Sequence, residues 1–236
     1  MSTDPKRLAE LHKLQTRLGY RYKKLDLLNT ALTHSSYANE RNLSMEHYNE
    51  RLEFLGDAVL EMVTSEFLYK RFKEYPEGTL TQIRASLVRG QALGLYAKEL
   101  NLGTFQLMGK GEEAGGGRER ISILADTLEA VIGSIYIDGG YRKAWDFIIK
   151  YIESRIDKLT DDNYTRDYKT ALQEKIQSKT GQRIEYRLAA QEGPDHDKTF
   201  HVQVYIGNKG FGEGIGKSKK EAEQDAAKRT LERLEG

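Results

Sequence analysis

Between Ile121 and Ile137 the chain is apolar apart from two acids, Asp126 and Glu129, set three residues apart. The apolar positions recur at helical spacing, so the segment reads as a helix buried around most of its circumference. It is too short to cross a bilayer comfortably and carries its charges near the middle, so a membrane role is not expected. Burying ionised carboxylates without a partner is costly, and no Lys or Arg stands within the segment to compensate them. Two readings follow: ion pairs to distant arginines such as Arg84 or Arg89, or a bound cation.

A second acidic face lies upstream, in Asn49-Glu50-Arg51-Leu52-Glu53-Phe54-Leu55-Gly56-Asp57-Ala58-Val59-Leu60-Glu61. At helical pitch Glu50, Glu53, Asp57 and Glu61 fall within about 80° of one another. One reading is a solvated stripe. Against it, like charges four residues apart disfavour a helix, and only Arg51 lies nearby to offset them. If the two faces meet, at least four carboxylates converge, and a divalent cation makes that arrangement tolerable. All-oxygen ligands select Mg²⁺ or Mn²⁺, and no histidine stands at ligand spacing within the clusters to favour zinc. A hard-metal carboxylate site suits hydrolysis of phosphodiesters.

Other chemistries are poorly supported. Cysteine is absent, which removes disulfides, thiolate zinc sites and cysteine nucleophiles, and suggests a reducing, cytoplasmic location. His34-Ser35-Ser36 suits capping or packing better than a hydroxyl–imidazole pair, because adjacent residues seldom align as nucleophile and base. Gly216-Lys217-Ser218 mimics the end of a phosphate-binding loop, but Phe211 stands where that motif needs glycine, so no nucleotide cofactor is expected.

Through residue 158 the periodicity is helical, with helices expected over 6–18, 25–33, 47–72, 80–99, 123–138 and 141–157. The glycine-dense segment 109–117 reads as a mobile loop. A polar linker is placed at 159–166, and a second unit at 167–236 reads helix, three strands, helix. Phe200, Val202, Val204 and Ile206 alternate with His201, Gln203 and Tyr205 as in a half-buried antiparallel strand, and Gly207-Asn208-Lys209-Gly210 supplies a hairpin turn. The expected architecture is an all-α N-terminal domain followed by a small α+β domain.

Lys plus Arg total 37 and Asp plus Glu 36, so any polyanion-binding surface must come from local charge. Lys217, Lys219 and Lys220 cluster where the last strand ends and the last helix begins. Cations oppose the dipole at a helix N-terminus, which leaves either a solvated cluster or a docking point for a polyanion. Ala222, Ala226, Ala227, Leu231 and Leu234 give that helix a narrow apolar face for close packing on the sheet.

Taken together, these segments resemble bacterial ribonuclease III over nearly the whole chain. Residues 49–57 match the family's signature run without departure, and Ile123-Leu124-Ala125-Asp126-Thr127-Leu128-Glu129-Ala130 matches its second acidic motif. Residues 167–174, then Gly193-Pro194-Asp195-His196 leading to Phe200, then residues 218–223, resemble a double-stranded RNA-binding domain. The resemblance implies that Glu53, Asp126 and Glu129 bind Mg²⁺, that Asp57 and Glu129 are catalytic, and that Glu50 and Glu77 are further acids near the substrate. It implies that Thr170, Gln173 and His196 reach two minor grooves while Lys217, Lys219 and Lys220 grip phosphates, consistent with shape reading over about 16 base pairs. Glu223 is a departure, because many free-standing domains of this type carry a third lysine there.

The resemblance further implies a homodimer that cuts one strand per subunit. The products are 5′-phosphate and 3′-hydroxyl ends with short 3′ overhangs, and the role is processing of ribosomal RNA precursors and other structured transcripts. The alternatives are a non-catalytic double-stranded RNA-binding protein with a degenerate nuclease domain, and a structural helical protein whose acids form salt bridges.

Overall fold

The computed structural model describes residues 4–160, 168–194 and 198–235, and the chain divides into two compact units, Met1–Leu159 and Thr160–Gly236. The described part of the first is built of helices: α1 (Pro5–Leu18), α2 (Leu25–Ala31), α3 (Ser35–Glu40), α4 (Glu50–Arg71), α5 (Glu77–Val88), α6 (Gly90–Glu99), α7 (Lys110–Ala114), α8 (Ile121–Gly139) and α9 (Tyr141–Thr160). The second runs α10 (Tyr168–Lys179), β1 (Ile184–Glu192), β2 (Thr199–Ile206), β3 (Lys209–Gly216) and α11 (Lys219–Glu235). The expected fold class therefore holds. Helix α9 continues to Thr160, and residues 161–166 of the proposed linker lie outside the described residues. No described helix is long and apolar enough to cross a membrane.

Helix α8 is the axle of the first unit. Leu124, Leu128, Val131, Ile132 and Ile135 are buried among residues of α1, α2, α4, α6 and α9. The helix expected over 80–99 is two helices, because Arg89 adopts an extended conformation (φ −63°, ψ 142°). The Tyr151 hydroxyl donates to the Leu87 carbonyl at the end of α5, so the break leaves that acceptor satisfied. The short helix α3, absent from the sequence reading, is capped by His34, whose Nδ1 accepts from the Ser36 amide at 3.2 Å.

The glycine-dense segment is not a mobile loop. It contains α7 and is tied down by Arg118, which pairs with Glu113 at 2.6 Å and donates to the Gly103 and Gln106 carbonyls, both at 2.8 Å. Arg120 pairs with Glu112 at 2.7 Å. Ion pairs offset the backbone freedom that the glycines would otherwise keep.

In the second unit the sheet order is β1-β2-β3, antiparallel throughout. Val202, Val204 and Ile206 are buried, as their alternation predicts. The hairpin turn is tighter than expected: Ile206 pairs with Lys209, leaving Gly207 and Asn208 as the turn, with Gly207 at φ +61°. Helix α11 lies directly on β3, where a Cβ at Gly214 would stand 2.1 Å from the Ala226 nitrogen. Glycine on the strand and alanine on the helix produce the close packing expected of that face.

Candidate active site and nucleic-acid interface

Helices α4 and α8 cross with their backbones in contact. A Cβ at Gly56 would stand 1.8 Å from the Glu129 carbonyl oxygen, and one at Gly133 would stand 2.2 Å from that of Leu52. Only glycine fits at either position. Glu53 precedes Gly56 by three residues and Glu129 precedes Gly133 by four, so this contact brings the two acidic faces together.

One carboxylate oxygen from each of Glu53, Asp126 and Glu129 lies within 4.8 Å of the other two, and all three side chains are half-buried. Among the described residues, no Lys or Arg forms an ion pair with Asp126 or Glu129. Arg84, one of the suggested partners, instead donates to Ser65 Oγ at 2.9 Å. Burial is the main cause raising the Glu129 carboxyl to about 8, reinforced by the charges of Asp57, Asp126 and Glu53. Glu53 is raised by burial and then by Asp126, Glu50 and Asp57. Asp126 is raised by burial, partly offset by His34. Uncompensated, mutually repelling carboxylates fit a hard divalent cation and do not fit a structural ion-pair network.

The remaining predicted acids are more open. Asp57 is exposed on α4 beside the three-carboxylate group, close enough to act on both Glu53 and Glu129. Glu50 is exposed at the start of α4 and acts on Glu53. Glu77 is exposed at the start of α5, outside the group, and accepts from the Thr81 hydroxyl at 2.8 Å. His34, expected from the sequence to cap or pack, also stands near enough to act on Asp126.

Backbone ties hold the frame. The Asn49 amide donates to the Thr33 carbonyl at 2.9 Å, and the His34 amide donates to the Leu107 carbonyl at 2.9 Å. Gln106 in turn donates to the Thr127 hydroxyl, between Asp126 and Glu129. These bonds link the start of α4 to the segment packed on α8.

In the second unit Thr170 and Gln173 are exposed on α10, and Lys217, Lys219 and Lys220 are exposed at the β3–α11 junction. His196 lies outside the described residues. Ser218 Oγ accepts from the Glu221 amide at 3.2 Å, and the Glu221 carboxylate accepts from the Lys217 amide at 2.8 Å. This local cap offsets the unfavourable placement of lysines at a helix start.

Comparison with known proteins bears on both units. The Ribonuclease-III-like family matches residues 24–156. The chain belongs to the ribonuclease III family. The double-stranded RNA binding motif matches residues 168–234, so this ribonuclease III carries both a nuclease and an RNA-binding unit and is a double-strand-specific endoribonuclease. Relatives include Ribonuclease 3 of Treponema denticola, 46% identical over 98% of this chain and 94% of the relative. Ribonuclease 3 of Enterococcus faecalis is 48% identical over 94% of this chain and 96% of the relative. The nuclease domain of ribonuclease III from Campylobacter jejuni, described with structural flexibility in a region involved in dimer formation, superposes with a TM-score of 0.57. It is 43% identical and covers 61% of this chain and 96% of its own.

In this ribonuclease III the acids stand out in the sequence by their spacing, whereas the glycines that join them, Gly56 and Gly133, stand out only in the packing. The available signal was a glycine inside each acidic helix, at positions where helix propensity disfavours it.

Proposed function

We propose that this ribonuclease III hydrolyses both strands of duplex RNA with Mg²⁺, leaving 5′-phosphate and 3′-hydroxyl ends with short 3′ overhangs. In this reading it acts in the cytoplasm on ribosomal RNA precursors and other structured transcripts. The observation that carries the proposal is the convergence of Glu53, Asp126 and Glu129 without a compensating cation among the described residues. These three carboxylates would hold Mg²⁺, or Mn²⁺ in its place. When bound, the ion would neutralise phosphate charge and lower the pKa of water.

The protein's own groups account for the rest. Glu129 is held by the backbone contact between α4 and α8, which fixes its position against Glu53. Asp57, exposed next to them, faces solvent and the incoming phosphodiester, where its carboxylate orients the attacking water. Water adds to phosphorus, the bond to the 3′ oxygen breaks, and that oxygen takes a proton. Glu50 and Glu77 lie at helix starts and would face the substrate farther from the cluster. Thr170 and Gln173, with His196, would read minor grooves, while Lys217, Lys219 and Lys220 hold phosphates.

One carboxylate cluster cuts one strand, so a duplex cut needs two copies. A stripe on α4 supports a second copy of this chain as the partner: Phe54 is 82% exposed, with Met62 and Tyr69 along the same side of the helix. The test is digestion of a long RNA duplex with Mg²⁺ against chelator, followed by end-group analysis, on the unaltered protein and on Glu129→Gln. Cleavage should require the ion and vanish in the variant while duplex binding persists. Undiminished cleavage by Glu129→Gln would overturn the assignment.

A further inference from the structure

Glu223 lies on the same side of α11 as Lys219 and Lys220, which precede it by four and three residues. It faces across to α10, where Lys169 Nζ stands 2.5 Å from its carboxylate. Lys169 precedes Gln173 by four residues, and the two share the stripe that lines a cavity of about 400 Å³ between α10 and the start of β1. The ammonium of Lys169 also sits 4.5 Å from the centre of the Tyr186 ring, and its backbone amide donates to Gln224 Oε1 at 3.3 Å.

The other acids of α11 near this end have local duties. Glu221 caps the helix, and Asp225 accepts from the Ile215 amide at 2.9 Å and pairs with Arg229 at 3.1 Å. Glu223 alone among these three reaches the RNA-contacting helix α10. Lys219 and Lys220 have no ion-pair partner among the described residues, whereas Lys169 does.

We propose that Glu223 sets the strength of RNA binding: it holds the Lys169 ammonium in an ion pair between the two RNA-contacting helices, withholding one cation from duplex phosphates. If Lys169 swung away to a phosphate, the Glu223 carboxylate would remain beside Lys219 and Lys220 and repel the same backbone. Phosphate contacts are made equally to substrate and product, so each contact withheld favours release without loss of selectivity. The proposal rests on the RNA-binding reading of this unit.

Charge arithmetic separates this role from simple bracing of α10 against α11. The pair carries no net charge as it stands, +1 in Glu223→Gln, −1 in Lys169→Ala, and none again in the double variant. Binding of the full chain to a duplex RNA is measured in chelator across a salt series. Glu223→Gln should bind up to about eightfold tighter at 0.1 M salt, with a log–log salt slope steeper by about 0.9. Lys169→Ala should bind more weakly, and the double variant should return to within about twofold of the unaltered protein. Weakened or unchanged binding in Glu223→Gln at an unchanged melting temperature, or a double variant weaker than either single, would overturn the proposal. Failure of the unaltered protein to bind duplex would instead overturn the RNA-binding reading.

Discussion

Replacing Gly56 with alanine tests the packing that assembles the carboxylates. The new Cβ would stand 1.8 Å from the Glu129 carbonyl oxygen, and such contacts do not fall below 3.0 Å, so α4 and α8 must part by at least about 1.2 Å, the difference. Elsewhere in a helix the exchange would stabilise by about 0.5 to 1 kcal/mol through helix propensity. Here overpacking of about 1 to 3 kcal/mol or more opposes that gain, giving a net loss of roughly 1 to 2 kcal/mol. The metal-free melting temperature should fall by roughly 2 to 8 °C. Gly78→Ala is the control, because nothing lies within 4 Å of a Cβ there and the melting temperature should hold or rise. Separating Glu53 from Glu129 by an ångström should also lower the cleavage rate at saturating Mg²⁺ by about 100-fold. A Gly56→Ala protein as stable and as active as the unaltered one would refute the backbone contact and the reading of the site built on it.

Other expectations can be checked directly. Glu129 is raised to about 8, so below that pH a bound proton competes with the ion, and Mn²⁺ affinity followed by titration calorimetry should climb by up to tenfold per pH unit before levelling. The metal-free fold should lose stability as pH rises from the ordinary carboxylate range through about 8, because the unfolded chain ionises Glu129 first; screening of the half-buried group limits the loss to roughly 1 to 3 kcal/mol. Glu129→Gln should remove that part of the pH dependence, and an unchanged thermal profile would contradict the assignment of burial and repulsion. Changing Lys219 and Lys220 to alanine should weaken binding to every duplex alike and flatten the salt slope by about 1.8, whereas loss confined to particular sequences would count against phosphate contacts. Phe54→Glu should shift the protein towards monomer in light scattering and lower double-strand cleavage with it, and an unaltered mass would exclude the α4 stripe as the interface.

Much of the fold was legible because it is written in local periodicity. The alternation along β2 specified that Val202, Val204 and Ile206 are buried, with Phe200 only partly so, and the spacing of alanines in α11 matched the glycines of β3. Local rules misjudged 80–99 and 109–117 for one reason. Arg89 breaks a helical pattern that its neighbours would allow to continue, and the Leu87 carbonyl left there is satisfied by Tyr151 from α9. Arg118 and Arg120 order a glycine-rich segment through partners that composition does not identify.

The sequence by itself determined that two helices would each carry an acidic face and that one of them would be buried, since side-chain spacing and the cost of burying charge are local matters. Which acids share a site was decided only by tertiary structure. The backbone contact at Gly56 and Gly133 draws Glu53 to Asp126 and Glu129, while Asp57 stays open to solvent and Glu77 stands apart. The same holds for the pairing of Lys169 with Glu223 across 54 residues of chain. Electrostatic interaction depends on distance in space and on the water excluded between the groups, and neither is a function of sequence separation.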